Sequence, residues 1–187
     1  MLTNQNLKIM NEIIKKNGIS FGIILGVFSV LFTTAIYVTD LTLFTKWWVG
    51  IVNILIYISI GVYLMVKTKR ELNNIFPFKE AFTTYFISAV IGILISVAFN
   101  ILLFNYIDPG VKDTIKELTI KFAVEIMEKF DTPKEAVNQA IKDMQAVDNY
   151  SIGQLLKGSV FSILFSVIFG LILAAIFKSK SPSSQGL

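Results

Sequence analysis

Histidine and cysteine are both absent from this chain of 187 residues. The lack of histidine removes the usual general base near neutral pH and the commonest metal ligand. The lack of cysteine removes thiolate nucleophiles, disulfides and thiol metal sites. The sequence also contains no glycine-rich phosphate-binding loop. We therefore expect no catalytic residue, no cofactor and no metal site, and a protein that is not an enzyme.

Charged residues are scarce, at 16% of the chain, whereas hydrophobic residues make up 54% and the mean hydropathy is +0.67. Soluble domains carry about 25% charged residues. Four apolar stretches contain no charged residue, at about 18–38, 47–66, 81–104 and 158–177. Each meets the length of roughly 20 helical residues that a bilayer core requires. The first is too long for a signal-peptide core. The sequence predicts an all-α, polytopic membrane protein with a four-helix bundle.

Basic residues cluster before the first apolar stretch, between the second and third, and after the fourth. They are Lys8, Lys15, Lys16, Lys67, Lys69, Arg70, Lys79, Lys178 and Lys180. The positive-inside tendency places this side in the cytoplasm, so both termini are predicted there, in a bacterial inner membrane. Trp47 and Trp48 lie at the opposite interface. The net charge of +4 is thus explained by membrane orientation, and we expect lipids, not nucleic acid, as partners.

The long connection between the third and fourth stretches, 105–157, reads as an external helical hairpin. Asp108-Pro109 and Thr132-Pro133 each resemble a helix start, the second with Thr132 capping Glu135. Apolar residues follow at helical spacing: Val111, Ile115, Leu118, Phe122, Ile126 and Phe130, then Val137, Ala140, Ile141, Met144 and Val147. Gly153 suggests a hinge before the last span. These faces could pack on each other, on a protein partner or on the membrane surface.

Small residues recur every four positions in three of the four spans, a pattern that lets helix backbones approach closely in lipid. They are Gly18, Gly22 and Gly26 in the first, Thr84, Ser88, Gly92 and Ser96 in the third, and Gly158, Ser162, Ser166 and Gly170 in the fourth. The pattern predicts helix packing. It leaves open whether the neighbouring helix belongs to the same chain or to another copy in a homo-oligomer.

Asn53 and Asn100 are the most polar side chains at membrane depth. We expect them to bond to neighbouring helices, and the alternative is a polar site for a solute or ion. Ion-coupled transporters usually place an ionisable residue inside the bilayer, and none of the predicted spans contains one. This absence favours the structural interpretation of the two asparagines.

Three stretches carry a resemblance to a known family: NGISFGIILGVFSVLF from Asn17, IFPFKEAFTTYFISAVIGIL from Ile75, and YIDPGVKD from Tyr106, with a last span ending LILAAIFKSK. The chain resembles small inner-membrane proteins of Gram-negative bacteria catalogued as the domain of unknown function numbered four-one-nine-nine. The resemblance implies an integral membrane protein with four spans, and it implies no activity, cofactor or catalytic residue.

These observations support a non-enzymatic membrane protein with a scaffolding, assembly or accessory role. It would act through helix packing and through a protein partner or second copy bound at 105–157. The alternative is a subunit of a small-solute or lipid transporter or channel, with a site near Asn53 and Asn100.

Overall fold

The computed structural model describes residues 4–179, so Lys180 lies outside the described residues. Helices are the only regular secondary structure in this part, which contains no strand, and this confirms the predicted all-α class. The α-helices are α1 (Asn4–Thr39), α2 (Trp47–Glu71), α3 (Phe78–Leu102), α4 (Val111–Lys129), α5 (Lys134–Ala146) and α6 (Ile152–Phe177). A short 3₁₀ helix, Leu41–Thr45, joins α1 to α2, and a π-helical turn, Leu103–Ile107, follows α3.

Four helical segments in the described part are long and apolar enough to cross a membrane: Leu7–Thr39, Trp47–Glu71, Phe78–Ile107 and Ile152–Phe177. Each predicted apolar stretch lies inside one of them. Large apolar side chains such as Leu31, Leu55 and Phe165 are exposed along these helices. Such exposure is expected where the surrounding solvent is lipid hydrocarbon. The fold is that of a multi-pass helical membrane protein.

The most extensive helix contact joins α1 to α3, and the next joins α3 to α6. A Cβ atom placed on Gly22 would lie 2.6 Å from the Cβ of Ile91 and 2.9 Å from the backbone oxygen of Ser88. On the facing helix, a Cβ atom on Gly92 would lie 2.9 Å from that of Leu25. Only glycine permits backbones this close, so glycines on both helices set the spacing of the central pair.

The start of α1, the α2–α3 loop and the end of α6 meet at one end of the bundle, called here the basic end. Their buried core contains Met10, Ile14, Met65, Leu72, Phe76, Ala81, Leu173 and Ala174. The Phe76 N–H donates to Ser179 Oγ at 2.7 Å, and the Ser179 N–H donates to the Phe76 carbonyl at 2.9 Å. The helices α4 and α5 form a hairpin at the other end, called the hairpin end.

Two local features differ from the prediction, and a third was not predicted. Gly153 lies inside α6, so the expected hinge there is wrong. No side-chain cap bond forms at the start of α5, and Thr132 therefore does not cap Glu135. In the α2–α3 loop, Asn73 and Asn74 have φ angles of 51° and 64°. Asparagine tolerates this left-handed region better than most residues, which allows the chain to reverse tightly between the two spans.

Candidate functional site

The base of the hairpin is anchored to the bundle by apolar side chains. Val111 and Ile115 of α4 are buried with Leu103 and Phe104, which end the third span. Phe104 is only 1% exposed, and its ring centroid lies 4.4 Å from that of Tyr150. The first two turns of the α4 apolar stripe therefore contact the bundle itself.

Polar contacts reinforce this anchor on the side facing α6. Lys112 Nζ lies 3.0 Å from Asp148 Oδ2, and Asn105 Nδ2 donates to the Tyr150 carbonyl at 3.0 Å. Burial opposes ionisation of Asp148 and is the largest single influence on its pKa. The hydrogen bonds from Lys112 and from the Tyr150 N–H, together with the positive charges of Lys112 and Lys116, outweigh it in sum and hold the pKa of Asp148 below its ordinary value. A lowered carboxyl pKa keeps this ion pair intact at neutral pH, and it weakens only as the pH falls through that pKa.

The tip of the hairpin is different, because its apolar residues are not covered. Phe130, the last residue of the predicted α4 stripe, is 80% exposed, and Ile126 is also exposed. In α5 only Val137 is buried. A groove of about 500 Å³ runs between the two helices near the tip. The hairpin thus packs on the bundle at its base and presents apolar side chains at its tip.

A cavity of about 380 Å³ lies between α2, α3 and α6, and is called here the lateral cavity. Its polar lining residues are Asn53, Tyr57, Tyr85, Ser162 and Ser166. The exposed side chains of Ile54 and Phe165 also line it, so the cavity opens sideways between α2 and α6. Near the basic end α2 and α6 converge, where a Cβ on Gly61 would lie 3.5 Å from Leu173.

The two asparagines singled out in the sequence occupy different places. Asn53 lines the lateral cavity, and its Oδ1 atom is buried without a hydrogen-bond donor among the described residues. Asn100 is partly buried on α3 and is not among the residues that line this cavity. The structure therefore does not bring the pair together into one polar site.

The small-residue stripes also have separate environments. Cβ atoms on Gly18 and Gly26 would meet Ile87 and Ile95 of α3 at 2.9 and 2.6 Å. Ser96 approaches α1, with its Oγ 2.7 Å from Ser29 Oγ. The stripe of α6 divides in two. Gly170 packs against α3, where its Cβ would lie 2.9 Å from the Tyr85 ring, whereas a Cβ on Gly158 would meet nothing within 4 Å.

Asn17 is a buried polar residue that sequence reasoning missed. It is 2% exposed at the basic end, and its Nδ2 donates to Thr68 Oγ1 at 3.1 Å and to Glu71 Oε2 at 2.7 Å. Lys67 Nζ donates to Asn17 Oδ1 at 3.4 Å and to Glu71 at 2.7 Å. Every polar atom of Asn17 has a partner, so this cluster joins α1 to α2 and is structural.

No group of three or more His, Cys, Asp and Glu side chains that could hold a metal ion occurs between residues 4 and 179. The letters Gly18-Ile19-Ser20-Phe21-Gly22 match the Gly-x-Ser-x-Gly pattern of some hydrolases. That pattern requires a strand-to-helix turn, and here it lies within α1, with both glycines packed on α3. It therefore belongs to the helix interface.

The architecture defines the class as a multi-pass α-helical membrane protein with an anchored hairpin at one end. The family described as "Protein of unknown function (DUF4199)" matches residues 20–179. The chain belongs to this family, which confirms the resemblance seen in the sequence. Comparison with curated proteins and with solved structures finds no match for the chain.

Proposed function

We propose that this protein is a non-enzymatic accessory or scaffolding protein of the bacterial inner membrane that binds a protein partner through the hairpin tip. The observation that carries the proposal is the contrast within α4. Ile115 is buried against the bundle, whereas Phe130, fifteen residues further on, is 80% exposed. An anchored base and an uncovered apolar tip are the arrangement expected of a hairpin that presents a binding surface.

The charges around the tip indicate which partner would fit. Glu125, Glu128, Asp131 and Glu135 surround Phe130 in the sequence, against the two lysines Lys129 and Lys134. All six side chains are exposed. A partner that offers an apolar groove with a basic rim would complement this surface. Anionic lipid would be disfavoured by the same carboxylates.

The proposed function requires the hairpin to lie outside the cytoplasm, with both termini inside. The concentration of lysine and arginine at the basic end supports this orientation, and Trp47 and Trp48 are exposed at the hairpin end, where an aromatic belt would lie. Reporter fusions after Arg70, Gln139 and Ser179 are expected to read inside, outside and inside. A cytoplasmic signal at Gln139 would contradict the orientation.

The binding role can be tested in intact cells with a photoreactive residue at Thr132, beside Phe130 in the hairpin turn. We expect a cross-linked species containing a second, different protein. Phe130→Asp should abolish it, because the charge removes the central apolar contact. Gln139→Asp is the matched control, since it adds one negative charge to an exposed position of the hairpin without removing an apolar group.

Two results would contradict the accessory role. The first is cross-linking only to lipid or to another copy of the chain. The second is a cross-linked partner that Phe130→Asp and Gln139→Asp affect equally, because binding would then not depend on the apolar tip.

The lateral cavity supports a second candidate function, handling of a small solute or lipid. The residues that favour it are Asn53, Ser162 and Ser166, which line the cavity. Asn100 does not take part in it, so a transport site would be centred on Asn53 alone. A protein of this type would still belong to the membrane class, and its site would be separate from the hairpin tip.

A further inference from the structure

We propose that the lateral cavity binds an uncharged amphiphile of the membrane whose O–H or N–H group donates to Asn53 Oδ1. This inference goes beyond the partner-binding role of the hairpin, with which it shares no residue. It also names the ligand class for the second candidate function, and it would stand even if no transport occurred.

The size and lining of the cavity suit such a ligand. Its volume of about 380 Å³ falls within the range of about 300–1,000 Å³ typical of small-molecule sites. Most of the lining is apolar or aromatic, as in Leu25, Ile93 and Phe169. The volume accommodates a small headgroup with its first carbons, and the mouth between Ile54 and Phe165 lets an aliphatic chain continue into the bilayer.

The need for a donor comes from Asn53. Its Oδ1 atom is buried and accepts no hydrogen bond from any described residue, and a buried acceptor without a donor is destabilising. The nearby serines do not supply the donor. Ser162 Oγ donates to the Gly158 carbonyl at 3.0 Å, and Ser166 Oγ donates to the Ile163 carbonyl at 2.7 Å. Their oxygen atoms remain as acceptors for a second donor on the ligand.

The charge of the ligand follows from the same lining. No Asp, Glu, Lys or Arg lines the cavity, and a charged headgroup at this depth would have no counter-ion. Asn53 lies six residues after Trp47, the first residue of α2, which is about 9 Å along the helix axis. Asn53 thus lies below the interfacial aromatic residues, at the depth expected for the hydroxyl of a lipid such as a diacylglycerol.

The wall of the cavity towards the basic end is fixed by tight packing. The Tyr85 ring lies between α2 and α6, where Cβ atoms on Gly61 and Gly170 would approach it to 3.2 and 2.9 Å. Both glycines are buried. Because the ring is held on both sides, the cavity has a defined end and does not depend on ligand to form.

The test uses the full chain in phosphatidylcholine nanodiscs with a diazirine-bearing diacylglycerol as the probe. We expect labelling within α6 near Ser162 and Ser166. Ser162→Trp should fill the cavity from an exposed position of its lining and lower labelling at least about tenfold. Val160→Trp is the matched control, because Val160 is exposed on the same helix and does not line the cavity.

The role of Asn53 is tested with Asn53→Leu, which keeps the side-chain size and removes the acceptor. Labelling should fall about tenfold, as expected for one lost buried hydrogen bond. Asn100→Leu, the same change outside the lining, should leave it unaltered. Without diacylglycerol, Asn53→Leu should melt at or above the wild-type temperature, because it removes an unsatisfied buried group.

Each part of the proposal can fail separately. Equal labelling of Ser162→Trp and Val160→Trp would place the probe elsewhere and overturn the site. Unchanged labelling of Asn53→Leu, or a lower melting temperature for it, would overturn its role as a free acceptor. Competition by phosphatidylglycerol as strong as that by unlabelled diacylglycerol would overturn the preference for an uncharged ligand. Loss of the cross-link at the hairpin tip would bear only on the accessory role.

Discussion

Gly22→Leu should separate α1 from α3 and lower the free energy of unfolding by about 3 kcal/mol or more, the upper end of overpacking costs. The reason is the close approach of α3 to α1 that Gly22 permits. A Cβ atom at position 22 would approach the Cβ of Ile91 to 2.6 Å and the backbone oxygen of Ser88 to 2.9 Å. A backbone atom cannot move aside as a flexible side chain can. Equilibrium unfolding in mixed micelles of increasing SDS content, followed by tryptophan fluorescence, measures the change.

Gly50→Leu is the matched control for this prediction. It makes the same substitution inside an apolar span, but a Cβ at position 50 would meet nothing within 4 Å. We expect its unfolding free energy to stay within about 0.5 kcal/mol of the wild type, as for most substitutions away from packed sites. If both variants lose the same unfolding free energy, the cause is the replacement of any glycine in a span, and not the close approach of α1 to α3.

Phe104→Ala should release the base of the hairpin and cost about 3–5 kcal/mol, the range for a buried phenylalanine. Phe104 is 1% exposed and contacts the rings of Tyr150 and Phe44, with centroid distances of 4.4 and 6.2 Å. Once it is removed, Lys112 should leave Asp148 and become accessible. Limited trypsin digestion of the purified protein should show cleavage after Lys112 rising at least about tenfold, because cleavage follows the population of the open state.

Two controls accompany the digestion. Phe161→Ala makes the same change at an exposed position of α6 and should leave cleavage after Lys112 unchanged. Cleavage after Lys129, which is exposed at the hairpin tip, should be similar in all variants. If Phe104→Ala leaves Lys112 as protected as in the wild type, the hairpin is anchored by its polar contacts and not by this side chain.

The sequence predicted the spans and the apolar face of α4 because both depend only on the spacing of apolar residues along a single helix. It could not say what covers that face. Ile115 and Phe130 belong to the same stripe, yet one is buried on the bundle and the other is exposed. The difference depends on where the third span ends and how the chain turns at 103–107, which are properties of the tertiary arrangement.

The burial of Asn17 was also not predicted, although one pattern in the sequence indicates it. It precedes the first apolar stretch and follows two lysines, so it reads as part of a hydrated segment. The spacing of Met10, Ile14, Phe21 and Leu25 nevertheless continues one helical face through position 17. An amide on that face is expected to be buried and bonded, as it is.

The four-residue spacing on α6 predicted a contact stripe but not its extent. Gly170 packs on the Tyr85 ring, whereas a Cβ on Gly158 would meet nothing within 4 Å. Regular spacing specifies a face of a helix, and the crossing point depends on the partner. On α6 the buried residues Gly170, Leu173 and Ala174 all lie in the part nearer the basic end, and Ser162 and Ser166 line the lateral cavity.

The two hydrogen bonds between Ser179 and Phe76 can form only late in the synthesis and insertion of the chain. The glycine-mediated pair α1–α3 uses residues that leave the ribosome early, so it can assemble while the hairpin is still being synthesised. The α2–α3 loop, in contrast, keeps the Phe76 N–H without its partner until α6 has been inserted and its last turn reaches the same membrane face. Insertion of the final helix is therefore the step that completes the packing of the basic end, and ribosome-bound chains stalled before it should expose that loop to soluble proteases.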